Sequence, residues 1–363
     1  MIRKVTVKEP LLRIVKRDGL SPWKAWLFRG IAVVAALLLC ALFVFTVTKL
    51  NPLQVYGSMA AGAFGTTRRM WVTFRDTAIL LCVALGLAPA FKMKFWNIGA
   101  EGQILVGGIT TAACMIYLGD VLPLWLTIII MVVSSTLAGA LWGLIPALFK
   151  AKWDTNETLF TLMMNYIAIQ LTAFFVSKWE NPFGSNSVGI INPVTRGGWL
   201  PYIGKNAYIL PILIVLALTF FMYFYLRNSK QGYEIAIVGD SENTAKYAGM
   251  NVKKIILRTM LISGGICGLA GFINVSGSSH TISDGIAGGR GFTAIIVAWL
   301  AKFNAFVMIF VSLLLVFLEK GASQIASDHG LNNEASEIMK GIILFFVLGS
   351  EFFINYRLIV RKK

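Results

Sequence analysis

The stretch Phe95-Trp96-Asn97-Ile98-Gly99-Ala100-Glu101-Gly102-Gln103 sets one carboxylate and two side-chain amides among glycines, between two strongly apolar runs. Such groups are costly in hydrocarbon unless they face a protein interior or a wet cavity, and Gly99 and Gly102 weaken the helix that would carry them. Glu101 therefore either lines a polar path or braces a broken helix near 95–103. A second constellation, Asn156, Glu157, Thr161 and Asn165, opens a later apolar run. Glu157, Thr161 and Asn165 stand at i, i+4 and i+8 and share one helical face, whereas Glu101 and Gln103 do not. Asn97, Glu101, Gln103, Asn156, Glu157 and Asn165 are thus the candidate lining of a solute pathway. Hydrogen bonding between neighbouring spans, worth about 0.6–2 kcal/mol per contact, is the competing role for each of them. Phe74, Phe95, Trp96, Phe160 and Tyr166 are of the type that stacks a flat base.

Covalent chemistry finds no such constellation. The chain contains no GxxxxGK[ST] phosphate loop, no HExxH and no GxSxG, so it has no motif of its own for nucleotide hydrolysis or bond cleavage. His280 with Asp284, and His329 with Asp328, fall in expected extracytoplasmic loops and read as solvated pairs. Cys40, Cys82, Cys114 and Cys267 all lie in apolar runs without paired spacing, which suggests small packing residues and no disulfide frame or zinc site. No catalytic residue, metal ligand or resident cofactor is expected.

The elements that must position these groups follow from composition. Hydrophobic residues make up 57% of 363, charged ones 14%, and there are ten Trp, which describes an all-α polytopic membrane protein. A helix needs about 20 largely apolar residues to cross the hydrocarbon. Ten spans are expected, near 30–48, 74–91, 99–118, 123–149, 157–177, 207–226, 255–275, 291–302, 304–319 and 337–354, the eighth and ninth being short. The first is read as a retained span, since Thr48-Lys49-Leu50-Asn51-Pro52 lacks a small-residue cleavage pattern. Lys and Arg concentrate in a basic segment 1–29, in the tail 355–363 and in the loop 227–254, so both termini and that loop are assigned to the cytoplasmic side of a plasma (inner) membrane. The transmembrane domain then covers 30–354. The net charge of +16 reads as topology and attraction to anionic lipid, and no nucleic-acid surface is expected.

Within 227–254, Asp240 or Ser241 can cap a short helix, Glu242 suits its first turn, Lys246 its last, and Gly249 a left-handed stop. From physics alone this is either an amphipathic connector or an element that docks on a partner. Gly264 and Gly268, with Gly265 and Gly271, allow close helix approach. Gly285, Gly288, Gly289 and Gly291 around Arg290 suggest a pliable extracytoplasmic turn.

Four separated stretches carry a family resemblance: FWNIGAEGQILVGG at 95–108, TNETLFTLMMNYIA at 155–168, GYEIAIVGDSENTAKYAGMNVKK at 232–254 and GGRGFTAIIVAWLAKFNA at 288–305. Together they resemble permease subunits of ABC importers for simple sugars, branched-chain amino acids and nucleosides. The likeness is greatest to the nucleoside-type permeases paired with basic-membrane-protein lipoprotein receptors. The resemblance implies that 232–254 is the coupling loop seated in a groove of the ATPase, with Gly232, Gly239, Ala245, Tyr247, Ala248 and Gly249 inheriting that role. Ala236-Ile237 and Ser241 depart from what relatives often carry there.

It further implies a prokaryotic importer of two permeases, preferentially a heterodimer with a shorter homologue. Two ATP-binding subunits holding ATP and Mg, and a lipid-anchored substrate-binding lipoprotein, complete the assembly. The expected cargo is a nucleoside. The alternatives are a simple sugar such as ribose or a galactoside within the same class, and an ion-coupled secondary transporter using Glu101 and Glu157 outside it.

Overall fold

A computed structural model describes residues 12–17, 21–48, 52–204, 206–328, 330 and 333–360. Thirteen α-helices are found among the described residues, with one short two-stranded ribbon. Residues group into two compact units, Thr67–Val316 and, separately, Met1–Thr66 with Phe317–Lys363.

In the first unit α3 (Thr67–Lys92) is the central post. Every residue from 76 to 91 is buried, as expected of a helix apolar on all sides. It packs against α7 (Ile209–Asn228), α10 (Val252–Asn274) and α11 (Arg290–Leu300). A second layer joins α10 to α4 (Ala100–Leu118) and α5 (Leu124–Trp153), and α6 (Glu157–Lys178) lies on α4.

Small residues set the α4–α5–α10 spacing. A Cβ on Gly107 would collide with the Gly268 backbone, one on Gly139 or Gly264 with the other's backbone, and one on Gly271 with the Ile104 carbonyl. The expected glycine stripe therefore packs within the chain. Asn156 caps α6 by accepting from Leu159 N at 3.1 Å, and Asp154, in the left-handed region at φ 52°, ends α5. The loop helices α8 (Lys230–Asp240) and α9 (Glu242–Tyr247) follow α7.

The second unit holds α1 (Pro22–Thr48), α2 (Pro52–Phe64), α13 (Asn333–Asn355) and the end of α12 (Ala305–Asp328). An Arg29–Glu351 ion pair at 2.6 Å joins α1 to α13, and Tyr56 donates to the Leu37 carbonyl at 2.7 Å. Strands β1 (Leu12–Lys16) and β2 (Tyr356–Val360) pair antiparallel, Leu12 opposite Val360, so the two ends of the described chain run side by side.

Eight described helices are long and apolar enough to cross a membrane. The 291–302 segment expected as a span is too short: α11 has 11 residues and reaches only about 16 Å. Neither α2 nor the ribbon was anticipated. Lys24 and Arg29 of the basic leader lie within α1, and Arg357 of the tail lies in β2. Residues 1–11, 18–20 and 361–363 of those two basic segments fall outside the described residues.

Candidate transport and coupling site

The break near 95–103 is complete: α3 ends at Lys92, a non-helical stretch follows, and α4 starts at Ala100 with Gly99 before it. Asn97, fully buried, donates to Ser263 Oγ at 3.1 Å and to Gln103 Oε1 at 3.3 Å, while its own oxygen accepts from Gly99 N and from Gln103 Nε2. Asn165 reaches across from α6, accepting from Gly102 N at 2.8 Å and donating to the Ile98 carbonyl at 2.9 Å. Thr161 accepts from Ile98 N at 3.1 Å. The amides that a helix start leaves without intrahelical partners are thus met by side chains of α6 and of the loop itself. Thr161 and Asn165 do share the face of α6 turned to α4, as their spacing requires.

Glu101 points elsewhere. Its carboxylate, 8% exposed, accepts Gly289 N on one oxygen and Gly291 N on the other, each at 2.7 Å. It therefore caps α11, satisfying two backbone donors at a helix start. Gly289 has φ +72°, and a Cβ on Gly291 would sit 2.6 Å from Glu101 Oε2, so glycine is required at both positions. Between them Arg290 reaches Asp76 of α3 at 3.5 Å. Asp76 also receives Arg75 at 2.8 Å, and the Arg75 guanidinium lies over the Tyr208 ring at 5.2 Å.

Residues 289–291 thus pack against the start of α4 instead of forming a free turn. Glu101, Arg290 and Asp76 act as one group tying α4, α11 and α3. Asp76 and Arg290 escaped the sequence reading, although a charged residue inside the apolar run 74–91 was a visible signal.

Glu157 does not enter this network. It pairs with Lys150 at 3.1 Å, and Lys150 also holds Asp154 at 2.8 Å. Both Glu157 and Lys150 border a small cavity of about 50 Å3 that Glu242 of α9 also lines. Asn156 is an exposed cap. The candidate aromatics do not converge: Phe74 meets Trp71, Phe160 meets Phe149, and Trp96 stacks on Trp299 with centroids 5.6 Å apart.

The loop helices rest on an apolar seat. Ile235 and Val238 of α8 and Ala245 of α9 are buried with Ala90, Met93, Phe95, Ala147, Val252 and Ile256. A Cβ on Gly239 would collide with the Lys92 carbonyl, and one on Gly232 would sit 2.5 Å from the Tyr225 carbonyl. Ser229 caps α8 and Ser241 caps α9, the latter accepting from Thr244 N at 3.2 Å. Glu242 and Lys246 occupy the first and last turns of α9, and Gly249 has φ +76°, all as expected.

The expected short helix is α9, and α8 precedes it as a separate helix because Ser241 between them is extended and restarts the chain. Gly232, Gly239 and Ala245 are anchors inside the chain, while Tyr247, 93% exposed, stands out with Ala248 and Gly249.

On the other side, α10 ends in a π-helical turn (Val275–Ser279) whose Ser276 carbonyl accepts from Leu200 N at 3.1 Å. His280 stacks flat on Trp199 with centroids 3.7 Å apart, and Arg196 lies over the same indole. Burial, reinforced by the Arg196 charge, pushes the His280 pKa down to about 4. It is a packing histidine. His329 lies outside the described residues. No group of three metal-ligating side chains is found among the described residues.

A family model for the permease component of the branched-chain amino acid transport system matches residues 70–348. The chain belongs to that family. This permease is 32% identical to a guanosine ABC transporter permease protein of Bacillus subtilis over 81% of its own length and 85% of that protein's. It is 28% identical to a glucose ABC transporter permease protein of Haloferax volcanii over 92% of its length and 90% of the relative's. A nucleoside ABC transporter permease protein of Lactococcus lactis shares 26% identity over 87% and 89%. No solved structure matches the permease. As a family member it is a multi-pass membrane component of a transport system and not an enzyme by itself.

Proposed function

We propose that this permease is the membrane-spanning subunit of a prokaryotic ABC importer that moves nucleosides inward, driven by ATP hydrolysis in a separate subunit. The observation that carries the reading is α9: a capped helix, fixed by an apolar seat, with Tyr247 projecting from it. An element held so firmly by its own chain and ending in an exposed aromatic is built to receive force from a partner. The loop 229–251 and both chain ends are assigned to the cytoplasm.

Nucleoside cargo is favoured by the guanosine and nucleoside permeases among the relatives, and glucose is the second reading, from the Haloferax relative. Two guanosine permeases of Bacillus subtilis both resemble this chain, which favours a heterodimer. A lipid-anchored receptor completes the assembly in this reading. Ion coupling through Glu101 is disfavoured, because both carboxylate oxygens are taken by backbone amides of a structural cap. Asn97, Gln103 and Asn165 shape the path by holding helix starts.

The test is uptake into proteoliposomes carrying the full importer, with labelled guanosine and glucose compared. ATP-dependent guanosine uptake is expected. Glucose uptake alone would move the cargo to sugars, and uptake by this chain alone under an ion gradient would end the ABC reading.

A further inference from the structure

The 229–251 loop and the start of α10 border an open cavity of about 680 Å3, within the size range of small-ligand sites. Its lining includes Lys230, Tyr233 and Glu234 of α8, Gly249 beyond α9, and Lys254 and Arg258 of α10. Three cations therefore face one carboxylate. That carboxylate is already engaged, since Arg258 donates to Glu234 at 2.6 Å. Lys230 and Lys254 have no carboxylate within ion-pair reach among the described residues. Tyr233, largely exposed, presents a ring at the same opening.

Position adds to charge. Lys230 follows the end of α7 at Asn228, and Lys254 and Arg258 lie in the first two turns of α10. Both are membrane-length helices, so the cavity sits level with their ends, at the depth of phospholipid head groups. Ammonium groups on flexible stems suit a phosphate as point-charge partners.

We propose that this cavity binds a phosphate-bearing ligand, with Lys230 and Lys254 on the phosphate and Tyr233 against the adjoining organic part. Two sources supply that chemistry: the head group of an anionic phospholipid, or a soluble phosphomonoester of nucleotide size. Because Ala248 and Gly249 line the cavity, its occupancy bears directly on the backbone that carries Tyr247.

The experiment uses the full chain in nanodiscs. In one arm, discs of phosphatidylcholine alone are titrated with guanosine monophosphate and, separately, inorganic phosphate, with heat as the readout. In the other, discs containing phosphatidylglycerol are used and retained lipid is counted by native mass spectrometry. Lys230→Gln and Lys254→Gln are each expected to weaken binding about tenfold without shifting the melting temperature. Binding in the first arm alone identifies a soluble ligand, and retention in the second alone identifies lipid. The proposal is overturned if neither arm shows binding, or if the double variant binds as the parent does.

Discussion

The knot at 97–103 and the loop helices α8 and α9 both carry conspicuous polar residues, yet they use them in opposite ways. In the knot each polar side chain is turned inward and matched: Asn97 with Gln103 and Ser263, Asn165 with Gly102 and Ile98, Glu101 with Gly289 and Gly291. In the loop the apolar residues are turned inward, and Glu242, Lys246 and Tyr247 face out. The contrast teaches that burial, more than residue type, separates what holds this permease together from what it offers to others. A polar group with no spare valence is scaffold; an exposed aromatic on a rigid seat is open to contact.

Removing Glu101 should break the comparison hardest. Glu101→Ala leaves two buried amides without their acceptor and removes a charge beside Arg290, a loss of about 3–5 kcal/mol. Folded yield and melting temperature should fall together with transport, whereas Glu101→Gln, which keeps one acceptor, should lose about half as much. Full stability with lost transport would instead return Glu101 to the solute path.

Ala245→Glu places a charge in the apolar seat and is expected to cost about 3 kcal/mol, read as faster hydrogen exchange throughout 230–250. Tyr247→Ala should leave that exchange and the melting temperature unchanged while weakening ATPase binding by about 2 kcal/mol, roughly thirtyfold. If Tyr247→Ala melts early, or binds its ATPase normally, the exposed tip is not the contact.

Glu157→Gln should cost no more than about 1 kcal/mol, because Lys150 keeps Asp154 as a partner at the surface. The smallest effect concerns pH. His280 holds a pKa near 4 when folded, below its ordinary 6.5, so the unfolded segment takes the proton first. Stability of the loop around His280 is then complete above about 6.5 and declines as pH falls toward 4. Hydrogen exchange at 190–200 should rise over that window in the parent and stay flat in His280→Phe, which keeps the ring stack.

Much of the helical framework was legible because an apolar run of membrane length has few alternatives. The cap of α9 was legible too, since Ser241, Glu242, Lys246 and Gly249 act locally. Long-range partners were not. That Glu101 meets Gly289 and Gly291, far along the chain, depends on how α4 and α11 pack, and no local spacing encodes it. The half-length of α11 was hidden for a related reason. Residues 291–302 are apolar enough for a span, but the turns at 284–289 that set the start of α11 against α4 are specified by glycines and a remote carboxylate. Likewise the family resemblance assigns Gly239 and Ala245 to the coupling loop, and their packing against Lys92 and the apolar seat depends on partners distant in sequence.

The glycine contacts of α10 have a mechanical consequence. Where backbone meets backbone at Gly107 and Gly268, at Gly139 and Gly264, and at Gly271 and Ile104, no side chain is left to flex, so α4, α5 and α10 are geared together like meshed teeth. Any stroke delivered through the 229–251 loop must turn that trio as a single lever, and the compliance of the machine is left to its wider-spaced neighbours.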